Sequence, residues 1–311
     1  MSTTLQDRPR KSAPGIPRSV RGDRLRGRAP QDTKATVWTY LSLFGVFAFS
    51  VFPLYWMFVI STGTEASVSR IPPQIIPEGH FGENLHEVLT LQDVFLSEAM
   101  VNSFIVASIV TVSVLFFCSL AGFAFAKLRF RGSRALMIFV IVTLAIPNQL
   151  GIVALYIIMS KLPLGDGETW NGHLVAVIVP SLVNAFGVFY MRQFILGAIP
   201  DELIESARVD GASTIRIYWN VVLPALRPAM AVLGLLTFVM IWNDFQWPLI
   251  TLNGTENPTS MVAISDLASG TYVQYRRVLS GAFLATVPLL VMLFLGGRQI
   301  VRGIMEGAVK Q

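Results

Sequence analysis

Charge is what this chain has least of. Only 14% of its 311 residues are Asp, Glu, Lys or Arg, 53% are apolar, and the mean hydropathy is +0.59. A soluble domain carries roughly 25% charged residues, because its surface needs them. The shortfall excludes an ordinary soluble domain, a disordered chain and a coiled coil. Cysteine is nearly missing as well. Cys118 stands alone inside an apolar run, so a disulfide-built scaffold is excluded and the redox compartment stays unread. None of the five lysines follows a glycine, so the Gly-x-x-x-x-Gly-Lys-Ser/Thr phosphate cradle is absent. His-Glu-x-x-His, Cys-x-x-Cys and Gly-x-Ser-x-Gly are absent too. The three histidines (His80, His86, His173) are scattered and suggest no metal site. The sequence therefore offers no catalytic residue, no metal ligand set and no bound cofactor. If ATP drives this protein, another chain binds it.

What is present is six long apolar stretches, at Thr36–Ile60, Val101–Ala126, Ala135–Ser160, Leu174–Tyr190, Pro228–Leu252 and Val278–Leu295. Each is near the roughly 20 residues that a bilayer demands. No Lys or Arg falls inside any of them, and Asp244 is the single acid. The runs are continuous rather than alternating, which predicts helices and not a closed barrel. The fold class is all-α, a polytopic membrane protein with six transmembrane helices.

Residues 1–35 differ from the rest. They hold nine Lys or Arg, three acids and four prolines, with few large apolar side chains. That composition predicts a disordered basic tail. With six spans, 20 of the 24 basic residues share one side with both termini, and four (Arg70, Lys161, Arg276, Arg277) lie opposite. The positive-inside rule places both termini in the cytoplasm of a cell-membrane protein. The net charge of +5 thus reflects sidedness and not nucleic-acid binding. The opposite loop, Ser61–Glu98, is long and Pro-rich, and reads as either a structured cap or partner-docking loop, or a plain connector.

The connection between the fourth and fifth stretches carries the most local information. Pro200 suits a first helical position, where no N–H is needed. Asp201 and Glu202 follow in the first turn, where the helix dipole favours acids. Gly211 can take the left-handed conformation that ends a helix. Ser213 can cap a second helix running to Leu223, before Pro224. The predicted product is two short helices around a glycine turn, at about 199–224. Such an element can fill a groove on a soluble partner or rest on lipid as an interfacial helix.

The same segment reads Glu205-Ser206-Ala207, then Gly211, then Val221-Val222-Leu223-Pro224. It resembles the EAA signature of ABC importer permeases, which runs Glu-Ala-Ala, three residues, Gly, nine residues, Ile-x-Leu-Pro. Ser206 replaces Ala and Val221 replaces Ile. Asp210-Gly211-Ala212 has the form common in the sugar-importing branch. Asn102-Ser103, Ala121–Gly132, Ile146-Pro147-Asn148-Gln149, Trp242-Asn243-Asp244-Phe245 and the terminal Gly307–Lys310 also resemble the MalG-like permeases of maltose-type carbohydrate importers. Asp244 stands where that family usually has Glu. The resemblance spans residues 36–311 and leaves the tail outside.

The resemblance implies a MetI-like fold and a transport subunit without its own ATPase site. It implies a second related permease, two ATP-binding subunits carrying ATP and Mg, and an external binding protein that delivers a sugar. It assigns ATPase coupling to Glu205, Ala207, Arg208, Asp210, Gly211, Leu223 and Pro224. A same-fold importer of a polyol or glycerol phosphate is the nearest alternative. Asp244 separately invites a functional reading, as an ionisable residue within a span. Asn243 and Asp244 suit sugar hydroxyls, and Trp242 and Phe245 suit a sugar ring, so these four are candidates for the translocation path. An interhelical hydrogen bond by Asp244 is the structural alternative, and a proton-coupled carrier using Asp244 is the other functional one.

Overall fold

The computed structural model describes residues 36–308 except 73, 166, 253, 270 and 271, with backbone alone at 148 and 298–308. The tail 1–35 and Lys310 lie outside the described residues. The chain divides into two units, 1–50 and 51–311. The described part of the first is helical from Val37, in a helix whose bounds are Val37–Ser61 and which contains Pro53.

Among the described residues four helices are long and apolar enough to cross a bilayer: Val37–Ser61, Leu96–Lys127, Leu174–Ala198 and Tyr275–Gly297. Two bent pairs bring the number to six, Ser133–Leu144 with Gln149–Met159, and Thr214–Ala225 with Arg227–Trp242. Each predicted stretch has its counterpart, so the all-α expectation holds. Among the described residues the strands are confined to one small antiparallel pair, Pro163–Gly165 with Glu168–Thr169.

Breaks fall where the backbone lacks a partner. The third stretch is interrupted at Pro147 before a 3-10 turn, Asn148–Gly151. The fourth carries Pro180 in a 3-10 turn, Val179–Ser181, and restarts at Ala185 with the Asn184 side chain accepting the Gly187 N–H. The fifth is not the continuous run that its composition suggests. Its helix stops at Trp242 and a short one, Gln246–Thr251, follows. Asn243 bonds back to the Val239 carbonyl, and Pro248 cannot donate to the turn before it. Pro288, by contrast, leaves Tyr275–Ala308 unbroken.

The Leu96–Lys127 helix organises the second unit. It packs against Ala185–Ala198, Arg227–Trp242 and Leu174–Ile178. Its buried residues Ser103, Val106, Ala107, Val110, Val114, Cys118, Ser119, Gly122 and Phe123 recur every three or four positions, so one stripe faces the core. Helices in lipid gain little from apolar burial as such and rely on close approach and interhelical hydrogen bonds. Both are present. Gly122 and Gly187 sit where a Cβ would meet the neighbouring helix below 3 Å. Ser113 donates to the Leu182 carbonyl at 3.0 Å, and Ser103 lies 2.9 Å from Ser260 Oγ. Asn102 Nδ2 donates to the Pro258 carbonyl at 3.1 Å, which gives the Asn102-Ser103 pair a structural role.

The 61–98 loop is a structured cap. Its helix Phe81–Thr90 packs against the start of Tyr275–Ala308. Buried Asn84 donates to the Ser61 and Gly63 carbonyls and accepts from Arg276 at 2.7 Å. Glu87 receives both Arg276 and Arg277. Burial pushes the Glu87 carboxyl up, but hydrogen bonds and charge from the two guanidinium groups hold it below the usual range.

Candidate functional site: a hinged helix pair between the fourth and fifth spans

The first helix of the pair is Asp201–Val209. Pro200 is its N-cap in an extended conformation, one position earlier than the sequence suggested, because a proline outside the helix loses nothing by lacking an N–H. Asp201 and Glu202 occupy the first turn and Arg208 the last, both favourable to the helix dipole. Ile204 is the residue this helix buries, while Glu205 and Arg208 stand exposed. Ala207 is half-buried against the core of its own chain.

The turn is a Schellman motif. The Gly211 N–H donates to the Arg208 carbonyl and the Ala212 N–H to the Ala207 carbonyl, each at 3.0 Å. Gly211 has φ 77°. A Cβ there would meet nothing within 4 Å, so glycine is required by conformation and not by space. Asp210 is the C-cap before it and is exposed.

Ser213 then caps the second helix, accepting the Arg216 N–H at 3.3 Å. The helix does not end at Leu223. Thr214–Ile217 passes into a π-helical turn, Tyr218–Val222, then through Leu223–Ala225, and the chain turns 75° into Arg227–Trp242. Pro224 is therefore carried within the bend instead of closing the helix. The wide turn before it relaxes the hydrogen-bond ladder that a proline interrupts. Ile217, Tyr218, Val222 and Leu226 face the core. Val209 and Ile215, 87% and 72% exposed, face away from it with Leu203 and Trp219. The pair is amphipathic toward its own protein and leaves an apolar and charged surface uncovered.

A cleft of about 610 Å³ separates this element from the end of the second span, lined by Ala126–Phe130, Asp201, Ile204, Glu205 and Arg208. Lys127 closes its floor. Its ammonium donates to the Ile199 carbonyl at 2.6 Å and to Asp201 at 2.5 Å. Hydrogen bonding and charge from Lys127 hold the Asp201 carboxyl below its usual range, with a smaller push from Arg129 in the same direction. On the second arm, Ser119 Oγ lies 2.7 Å from the Tyr218 hydroxyl, and the Phe123 and Tyr218 rings touch at 5.8 Å. The pairings of Lys127 with Asp201 and of Ser119 with Tyr218 are not legible in the sequence, because the partners lie 74 and 99 positions apart.

The four residues proposed for a translocation path are not equivalent. Trp242 is 1% exposed, donates to the Ala285 carbonyl at 3.1 Å and stacks on Phe238. In this conformation its indole is packed inside the protein and presents no open face. Asn243 and Phe245 are exposed at the break. Asp244 is half-buried there, its carboxylate facing the backbone amides of Trp247 and Gln246 at the start of the next short helix. Among the described residues no cluster of His, Cys, Asp or Glu is placed to hold a metal ion.

Comparison with known proteins reaches the same region. A family described as "Binding-protein-dependent transport system inner membrane component" matches residues 118–302. The sn-glycerol-3-phosphate transport system permease protein UgpE of Yersinia pestis is 28% identical over 262 residues, covering 82% of this chain and 91% of its own. The lactose transport system permease protein LacG of Rhizobium radiobacter is 31% identical over 261 residues, covering 84% and 91%. The arabinooligosaccharides transport system permease protein AraQ of Halalkalibacterium halodurans is 31% identical over 209 residues, covering 67% and 72%. A crystal structure of a bacterial ABC transporter involved in the import of the acidic polysaccharide alginate shares the fold, with TM-score 0.70 over 84% of this chain and 95% of that one, at 20% identity.

Proposed function

The chain belongs to the family of binding-protein-dependent transport system inner membrane components, and we propose that within an ABC importer it passes a sugar across the cell membrane. It is a permease subunit and not the motor. The hydrolysis of ATP belongs to a separate subunit in this reading, and an external binding protein delivers the cargo. A second related permease and two ATP-binding subunits complete the assembly, with both termini on the ATPase side.

The hinged helix pair carries the coupling half of the proposal. Its two arms are joined by the Schellman turn, it is anchored inward by Ile204, Ile217, Tyr218 and Val222, and it presents Glu205, Arg208, Val209 and Ile215 outward. A pair of short helices with one face spent on its own protein and the other free suits a groove on a soluble partner better than a lipid surface, because charged Glu205 and Arg208 share the free face. Glu205, Arg208, Asp210 and Gly211 are the proposed coupling residues on the first arm, with Ala207 packing beneath them. Leu223 and Pro224 belong to the bend that leads into the fifth span.

The cargo half rests on chemistry and on relatives. LacG and AraQ are named for lactose and arabinooligosaccharides. UgpE is named for sn-glycerol-3-phosphate, which supports the polyol-phosphate alternative. No Lys or Arg falls inside the six apolar stretches, and the one acid there is Asp244. A phosphate dianion calls for a cation on its route, whereas neutral hydroxyls suit Asn243 and Asp244. That difference favours the sugar.

The test is uptake by proteoliposomes holding the full complex. Labelled lactose or an arabinooligosaccharide should accumulate only with the binding protein outside and ATP on the other side, undiminished by a protonophore. Uptake of glycerol 3-phosphate instead would move the cargo to the alternative. Uptake without ATP that a protonophore abolishes would overturn the reading.

A further inference from the structure

Two contacts made by the second span, one through Lys127 and one through Ser119 with Phe123, tie both arms of the helix pair to that single span. At the first arm, Lys127 ends the Leu96–Lys127 helix and holds the Ile199 carbonyl and Asp201, the first residue of Asp201–Val209. Its side chain is 4% exposed. At the second arm, Ser119 and Phe123 of the same span hold the ring and hydroxyl of Tyr218. Ser119 and Lys127 are separated by about 12 Å along the helix axis. Two attachments that far apart resist rotation as well as translation.

The same element has two covalent routes into the membrane: a short one through Ile199 and Pro200 to the fourth span, gripped at the Ile199 carbonyl by Lys127, and one to the fifth span that behaves differently. It leads through the π-helical turn, Pro224, the 75° bend at Leu226 and Pro228. Each of these weakens the regular hydrogen-bond ladder that makes a helix a stiff rod. The helix pair is thus joined softly to the fifth span, with which it is continuous, and firmly to the second, with which it is not.

We propose that Lys127 and Tyr218 are positioning residues that pin the helix pair to the second span, so that displacement imposed by the ATPase reaches the membrane first through Leu96–Lys127. This rests on the coupling role proposed above for residues 199–224. The buried ammonium is suited to the task. A buried ammonium held by the Ile199 carbonyl and the Asp201 carboxylate has few other partners within reach, so the contact resists sliding. The same span carries the Gly122 contact with the fourth span, so motion delivered to it has a packed neighbour to move.

The experiment compares sugar molecules imported per ATP hydrolysed, in proteoliposomes of the full complex, for Lys127→Met, Lys127→Arg, Tyr218→Phe and Gly211→Val. Lys127→Met should lower that ratio roughly threefold or more while the ATP-binding subunits still co-purify, and Lys127→Arg should restore most of it. Lys127→Met combined with Tyr218→Phe should lose more than either alone. Spin labels at Val112 and Asn220, both exposed and neither on the proposed docking face, provide a readout that mere destabilisation does not move. Their separation should stay constant on ATP binding in the otherwise unaltered protein and broaden in the double variant. A wild-type ratio in Lys127→Met and Tyr218→Phe, with Gly211→Val still uncoupled, would overturn the pinning while leaving the coupling element intact. A wild-type ratio in Gly211→Val as well would instead sink the coupling role itself. A label separation that shifts with ATP in the unaltered protein also rejects the pinning.

Discussion

A Cβ on Gly122 would stand 2.7 Å from the Cβ of Met191 and 2.9 Å from the Arg192 nitrogen. The second and fourth spans therefore approach through glycine, and the atoms in the way belong to backbone and to the root of a side chain. Gly122→Ala should force the two helices apart, at a cost of about 1–3 kcal/mol, and Gly122→Val should cost more. Thermal unfolding of the purified complex measures this. A midpoint in Gly122→Ala equal to that of the unaltered protein would contradict the packing described for the core.

The Lys127–Asp201 pair is lopsided, with the ammonium buried and the carboxylate open to water. Removing the lysine leaves an acid that water can solvate. Removing the acid leaves a buried cation with one carbonyl partner. Asp201→Ala should thus lower the thermal midpoint more than Lys127→Ala, although Lys127 has the larger contact. Equal or reversed losses would argue against the burial of Lys127.

Glu87 joins two arginines at the junction of the 61–98 cap and the last helix. Its carboxyl pKa is depressed in the folded protein, against the pull of burial, by Arg276 and Arg277. The sign follows from linkage: stability from this group is present above the ordinary glutamate pKa of about 4.3 and is lost as pH falls through the lower folded value. Between pH 6 and 8 it should be constant. Glu87→Gln should lower the midpoint by a few degrees near neutrality and remove part of the acid-side decline. An unchanged acid limb would remove Glu87 from the account of that cap.

Sidedness is directly measurable. In a Cys118→Ser background, a cysteine at His86, exposed on the cap helix, should react with an impermeant thiol reagent in intact cells. A cysteine at Ser12 should be protected until the membrane is opened. The opposite pattern would reverse the orientation drawn from the 20-to-4 charge split.

The sequence made some features legible because they are local. Six runs near bilayer length need no partner to be recognised. The helix–glycine–helix at 199–224 was readable because Asp201, Gly211 and Ser213 act on backbone within a few residues of themselves. What escaped was whatever depends on distant chain. Trp242 looked like a ring for sugar, but its indole is committed to Phe238 and to the Ala285 carbonyl across the core. Pro224 looked like a stop, but the wide turn at Tyr218–Val222 absorbs it. Lys127 lies in the Ala121–Gly132 segment, but its partners Ile199 and Asp201 are brought to it only by the fold.

The central claim is that the Gly211 turn transmits work between the ATPase and the spans. Gly211 has φ 77°, where a β-branched side chain is strongly disfavoured, so Gly211→Val should misdirect the second arm. Glu205→Lys should keep the turn and invert a contact charge. The decisive measurement is ATP hydrolysis by the reconstituted complex, with and without sugar-loaded binding protein. Both variants should lose most of the stimulation, while sugar binding to the external protein, a separate chain, stays unchanged. Full stimulation in both would contradict the account at its centre.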